Sequence, residues 1–143
     1  MYTEEQYDEF SKRMHEKFPL MFSKPFGGFA VGQGWWPIIE SLCGNIQSHI
    51  DWRKKQLVGP EVTQVVVDQI KEKFGGLRFY YTGGDIEISG MVRIAESWAA
   101  HSCEQCGAPG IRRHDGWIRT LCDTHELERQ QKIKEVYGSN NNA

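Results

Sequence analysis

Four residues near the end of this sequence constrain its folding more than any others. Cys103 and Cys106 are separated by two residues, and Cys122 and His125 by two more. Fifteen residues lie between the pairs. Zinc takes four nitrogen or sulfur ligands in a tetrahedron. A C-x2-C pair fits a tight turn whose amides face the sulfurs, and a second pair must return from elsewhere to close the shell. The spacing is that of a C-x2-C…C-x2-C zinc site with imidazole in place of the last thiolate. With all four positions filled by protein, none is left for water or substrate, so the ion is expected to be structural. Other pairings stay open at this point. Cys103 and Cys106 could be a redox pair, although no βαβ pattern surrounds them. The four cysteines could form two disulfides, although no signal peptide is evident. Cys43, His101 or His114 could replace His125 as the fourth ligand.

The flanking residues suit a compact metal module. Gly107-Ala-Pro-Gly110 can turn the chain sharply after the first pair. Ile111–Arg113 and Trp117–Leu121 read as a hairpin around His114-Asp-Gly116. Asp123 to Tyr137 is rich in helix formers and is closed by Gly138. A knuckle, a hairpin and a helix bearing the second ligand pair resemble a treble-clef zinc finger. Without its ion, so small a module has too little core to hold its shape.

The other 100 residues read as an α+β unit, helices on a small antiparallel sheet. Thr3 and Gln6 form a capping box before a stripe of Tyr7, Phe10, Met14 and Phe18, and Pro19 ends it. Ser23 to Gly34 holds four glycines and a proline and reads as a connector. The alternative is a mobile contact loop carrying Phe26 and Phe29. Trp35-Trp36-Pro37 opens a second helix with Ile39, Leu42, Cys43, Ile46 and Ile50 inward. Val62–Glu72 and Leu77–Thr82 form a hairpin across Phe74-Gly-Gly76, with Leu77, Phe79 and Tyr81 on one face. Asp85 caps a third helix whose stripe is Ile88, Met91, Val92, Ala95, Trp98 and Ala99. The expected organisation is an α+β domain over 1–100, a zinc module over 101–138, and a disordered tail over 139–143.

Charge narrows the function. Net charge is −2, and no apolar run approaches the length of a membrane span. Residues 1–60 carry seven acids and seven bases, 61–100 six and four, and 101–143 six of each. This balance weighs against a protein that binds mainly phosphates. With a polar N-terminus and no apolar run of membrane-spanning length, a cytoplasmic location is the expectation, and thiolates held by zinc agree with it.

Phe74-Gly-Gly-Leu-Arg-Phe-Tyr80, Cys103-x-x-Cys-Gly-Ala-Pro-Gly110 and Gly116-Trp-Ile-Arg-Thr-Leu-Cys-Asp-Thr-His125 together resemble a set of short phage and prophage proteins. The resemblance spans roughly residues 60 to 125 and implies a phage-linked origin. It supplies no catalytic residues. His114-Asp115 is a poor match to the His-rich ββα unit of treble-clef nucleases, so enzymatic function is not expected. The favoured expectation is a protein-binding module with Trp35, Trp36, Tyr80 and Trp117 as contacts. Its partner would be a host protein or nucleoprotein complex, and the effect inhibition or redirection, a bacterial defence system being one target. A nucleic-acid module is the alternative, using Arg112, Arg113 and Arg119 around Trp117.

Overall fold

A computed structural model describes residues 1–138, so the expected tail lies outside the described residues. The chain is α+β. Helix α1 (Glu4–Lys17) starts where Thr3 Oγ1 accepts from the Gln6 amide at 3.1 Å and Gln6 Oε1 accepts from the Thr3 amide at 2.8 Å. This reciprocal cap satisfies two donors that a helix start leaves free. Phe10 and Met14 fall on its buried face.

The glycine-rich stretch is more ordered than its composition suggests. It contains a two-residue strand, β1 (Phe29–Ala30), followed by a turn of 3-10 helix at Gln33–Trp35. Helix α2 (Trp36–Lys55) then carries the chain across to β2 (Thr63–Lys73), which lies parallel to β1 with Phe29 opposite Ile70. A parallel pair needs such a crossover. The sheet is therefore mixed, not wholly antiparallel as the sequence suggests. The picture of Phe26 and Phe29 as loop contacts also gives way. Phe29 is buried against Phe10, Phe22 and Phe26, with ring centroids 4.8 to 5.5 Å away.

Strand β3 (Gly76–Gly84) returns antiparallel to β2 through a two-residue turn, Phe74-Gly75. Both turn residues have positive φ, 53° and 77°. A bulge between Val67 and Gln69 adds one residue to β2. It explains why Val65, Val67 and Ile70 all face the core although strict alternation would turn Ile70 outward. Leu77 and Phe79 meet them from β3.

Asp85 Oδ1 accepts from the Ile88 amide at 3.0 Å and caps α3 (Ile86–Ala99). Ile88, Val92, Ala95 and Ala99 face the core. Trp98, expected on that stripe, is 65% exposed instead. Glu96 on α3 accepts the outward-facing Phe79 amide at 3.1 Å, so α3 covers the free edge of β3. The segment that carries the Cys and His pairs adds β4 (Ile111–Arg113), β5 (Arg119–Leu121) and α4 (Asp123–Gly138).

Polar straps fix the helices to one another. Glu40 on α2 accepts from Arg13 Nε and Nη2, both at 3.1 Å, and from Lys17 at 3.2 Å. The Arg13 hydrogen bonds hold its carboxyl below the usual value against the opposing effect of burial, and Lys17 adds to them. A carboxylate lowered in the fold stabilises it above the unfolded value of 4.5 and loses that contribution as pH falls through the lower folded value. Glu40→Gln is expected to cost about 1 kcal/mol at neutral pH. In urea melts at stepped pH, the gap between variant and wild type should close in acid. A gap of constant size would show that the strap acts through shape rather than charge.

Candidate metal centre

The knuckle is built by main-chain hydrogen bonds. The Gly107 amide donates to Cys103 O at 2.8 Å, and the Cys103 amide donates to Ala108 O at 2.7 Å. Gly107 takes a φ of 82°, a left-handed conformation that glycine reaches without penalty. The Glu104 amide donates to Thr120 O at 3.0 Å and so joins the knuckle to β5. Cys122 follows β5 directly, and His125 lies in the first turn of α4.

These elements bring one ligand atom each from Cys103, Cys106, Cys122 and His125 within 4.8 Å of one another. Cys106 Sγ and Cys122 Sγ are 3.8 Å apart. His125 Nδ1 is 3.5 Å from Cys103 Sγ and 3.2 Å from Cys122 Sγ. A tetrahedron with metal–sulfur bonds of about 2.3 Å and a metal–nitrogen bond of about 2.0 Å has edges of roughly 3.8 Å between sulfurs and 3.5 Å from sulfur to nitrogen. The cluster has that size and can hold a metal ion. A disulfide needs about 2.05 Å between sulfurs, and all four cysteines are free thiols.

The other candidate fourth ligands lie elsewhere. Cys43 is buried in the core, where desolvation pushes its thiol far up. His101 Nδ1 pairs with Ser97 O at 2.9 Å. His114 sits in the hairpin loop between β4 and β5.

The electrostatics also favour a cation. Burial opposes charge on Cys103, but the amides of Cys122, Cys106 and Gln105 point at it and leave its pKa below the ordinary thiol value. Cys106 shifts upward, first from desolvation and then from the sulfurs of Cys103 and Cys122, against the pull of the Ala108 amide. Sulfurs this close resist becoming thiolates together unless a positive ion sits among them. With Nδ1 turned inward, His125 Nε2 faces outward, 3.9 Å from Glu128 Oε2. That is the side where a carboxylate orients a metal-bound imidazole.

The main body of the chain grips the knuckle through residues that sequence reasoning missed. Trp35 Nε1 donates to Ser102 O at 2.9 Å. The Gly34 amide donates to Glu104 O at 2.8 Å, and the Gly32 amide to Glu104 Oε2 at 2.9 Å. Burial raises the Glu104 pKa against the Gly32 amide and Arg119, whose Nη2 lies 3.7 Å away. Thr120 Oγ1 donates to Gly75 O at 2.6 Å. Gly32 and Gly34 have ordinary φ, and closeness alone forbids side chains there. A Cβ would lie 2.4 Å from Glu104 O at Gly32 and 2.2 Å from Cys103 O at Gly34. The one local signal was a Gly-x-Gly pair just before an aromatic.

The expected contact residues divide. Trp35 is fully buried, which removes it from any surface. Trp36 is half-buried and stacks on Phe10 at 4.5 Å. Tyr80 and Trp117 are exposed. Arg113 is committed to Leu121 O and to Asp123 Oδ1 at 2.8 Å. Arg119 faces Glu104. Only Arg112 of the three is without an ion pair among the described residues.

Beside the knuckle lies a cleft of about 590 Å³ between α2 and α3. Ile38, Leu42, Met91, Ile94 and Trp98 give it an apolar lining, and Cys106 and Gly107 form one end. No helix among the described residues is long and apolar enough to cross a membrane. The chain matches no protein-family model, no curated protein and no solved structure.

Gly34→Ala places a methyl group inside backbone and is expected to destabilise the fold by more than about 2 kcal/mol while weakening metal binding. Gly90→Ala, in α3 with nothing within 4 Å of its Cβ, should instead stabilise by about 0.5–1 kcal/mol. Thermal melts and competitive metal titration check the pair. Equal and small effects would show that the loop does not press on the knuckle.

Proposed function

We propose that the protein is a small, zinc-stabilised, non-enzymatic protein-binding module. The observation that carries this reading is the apolar cleft whose end wall is the metal knuckle. On its rim, Ile94 is 68% exposed although it lies on a helix that packs the core. Apolar side chains grouped around a concave surface mark interaction sites more often than scattered ones do. The occupant that fits a cleft between two helices is the apolar face of a helix from a protein partner.

The ion's role follows from the donor set. Three sulfurs and one imidazole in a tetrahedron suit zinc. Zinc bound there supplies cross-linking rather than chemistry, because protein ligands take all four positions. It would hold rigid the wall against which the partner packs. Three of the other four histidines are engaged within the fold. His15 and His101 pair with main-chain carbonyls, and His49 is held between Asp85 and Glu87. The resemblance to short phage and prophage proteins supports a bacterial host protein or nucleoprotein complex as partner. Binding would then inhibit or redirect it, with a defence system as one target class and the cytoplasm as the compartment.

Purified protein is expected to carry one zinc per chain by elemental analysis, and a strong chelator should lower its melting temperature sharply. Full stability without metal would contradict the structural role. Trp98→Ala or Ile94→Asp should leave the melt within about 0.5 kcal/mol of wild type, as exposed positions allow. Each should lose a protein that the wild type captures from nuclease-treated bacterial lysate. Identical capture by both variants would remove the cleft from the reading.

A further inference from the structure

Strand alternation sorts charge onto one face of the sheet. Lys71 and Lys73 on β2 and Arg78 and Tyr80 on β3 point away from the face that packs Ile70 and Phe79 into the core. Lys71 lies directly opposite Arg78, and Lys73 opposite Gly76. Arg112 extends this row, since a Cβ on Gly76 would be 3.4 Å from Arg112 Nη2. Among the described residues none of these four cations has an ion pair. Farther along β2, Asp68 is already engaged by Lys24 and by Thr82 Oγ1. Like charges facing across a ladder destabilise it, and no ion pair among the described residues offsets the Lys71–Arg78 pairing.

Two exposed rings sit among these cations. Tyr80 is 43% exposed, with the Lys71 ammonium 5.8 Å from its ring centroid. Phe74 is 62% exposed at the hairpin tip, with the Lys73 ammonium 5.7 Å away. Phe74 also holds a left-handed φ of 53°, the one positive φ outside glycine among the described residues. A two-residue turn of this kind prefers asparagine or glycine there. A bulky exposed side chain in that conformation is strained without a packing return.

We propose that this face binds single-stranded nucleic acid, with the four cations on phosphates and the Tyr80 and Phe74 rings stacked on unpaired bases. Charge selects a polyanion, and the rings select against a duplex, whose base faces are covered. Tyr80 and Gly76 are four residues apart on β3, roughly 13 Å, room for several nucleotides. The surface shares no residue with the cleft between α2 and α3. It replaces the cluster of hairpin arginines expected from sequence, of which Arg113 and Arg119 are occupied.

Fluorescence anisotropy on the intact metal-loaded protein tests the proposal with labelled oligo(dT), oligo(U) and a DNA duplex. Both single strands, or one of them, should bind more tightly than the duplex. The slope of log affinity against log salt should be about −3 for four phosphate contacts. Lys71→Gln with Arg78→Gln should make that slope shallower by about 1.4. Phe74→Asn should melt at the same or a higher temperature yet bind at least about fivefold more weakly. Trp98→Ala should bind as wild type, which separates this face from the cleft. No saturable binding of either strand at low salt would overturn the proposal. So would a preference for duplex, an unchanged salt slope, or wild-type binding by both Phe74→Asn and Tyr80→Ala.

Discussion

Three sulfurs brought within reach of one another repel as they ionise, and a cation in their midst turns that repulsion into attraction. A cation held by this cluster would make the C-terminal third depend on this reversal. Helix α4 buries no residue, and β4 and β5 are three residues each. Elements this small contribute little apolar burial of their own. Besides the bonds from Glu104 to Thr120 and from Arg113 to Asp123, the ligand set draws them together: Cys103 and Cys106 from the knuckle, Cys122 after β5, His125 from α4. The tetrahedral spacing of the donors would let one ion tie all of these pieces together.

The same tie reaches into the main body of the chain. Glu104 stands between two ligands, and its carbonyl and carboxylate accept the amides of Gly34 and Gly32. Trp35 is held at Ser102 by its indole nitrogen and is fully buried. A buried indole N–H without a partner would be costly, so this bond locks the start of α2 to the knuckle. Loss of an ion bound by this cluster would therefore be felt at the start of α2 and at the end of the cleft that Cys106 and Gly107 close. The ligand cluster and the end of the cleft are thus linked through the Gly34–Glu104 backbone bond, the Glu104 carboxylate and the Trp35 indole.

Local chemistry was the legible part of the sequence. The capping box at Thr3 and Gln6, the cap at Asp85, the inward stripe of α2 and the ligand spacing all depend on residues a few positions apart. What was illegible depended on distant partners. Two residues of β1 become a strand only because Ile70 and Lys71 arrive beside them. Gly32 and Gly34 look like loop residues until the knuckle backbone presses against them. Trp35, expected as a surface contact, is buried, and Trp98, placed inward by periodicity, is exposed, because α2 begins against the knuckle while the last turn of α3 lines an open cleft. Charge was hidden differently. Glu72 stands between Lys71 and Lys73, and residues 61–100 count six acids against four bases, so no basic surface shows in the sum. A strand sends neighbours to opposite faces, and the two lysines come out together.

Zinc K-edge absorption spectroscopy on the purified protein bears most directly on the closed shell. Three sulfurs at about 2.3 Å and one nitrogen at about 2.0 Å are expected. Fewer than three sulfurs, or an oxygen ligand in the first shell, would contradict a tetrahedron completed by Cys103, Cys106, Cys122 and His125.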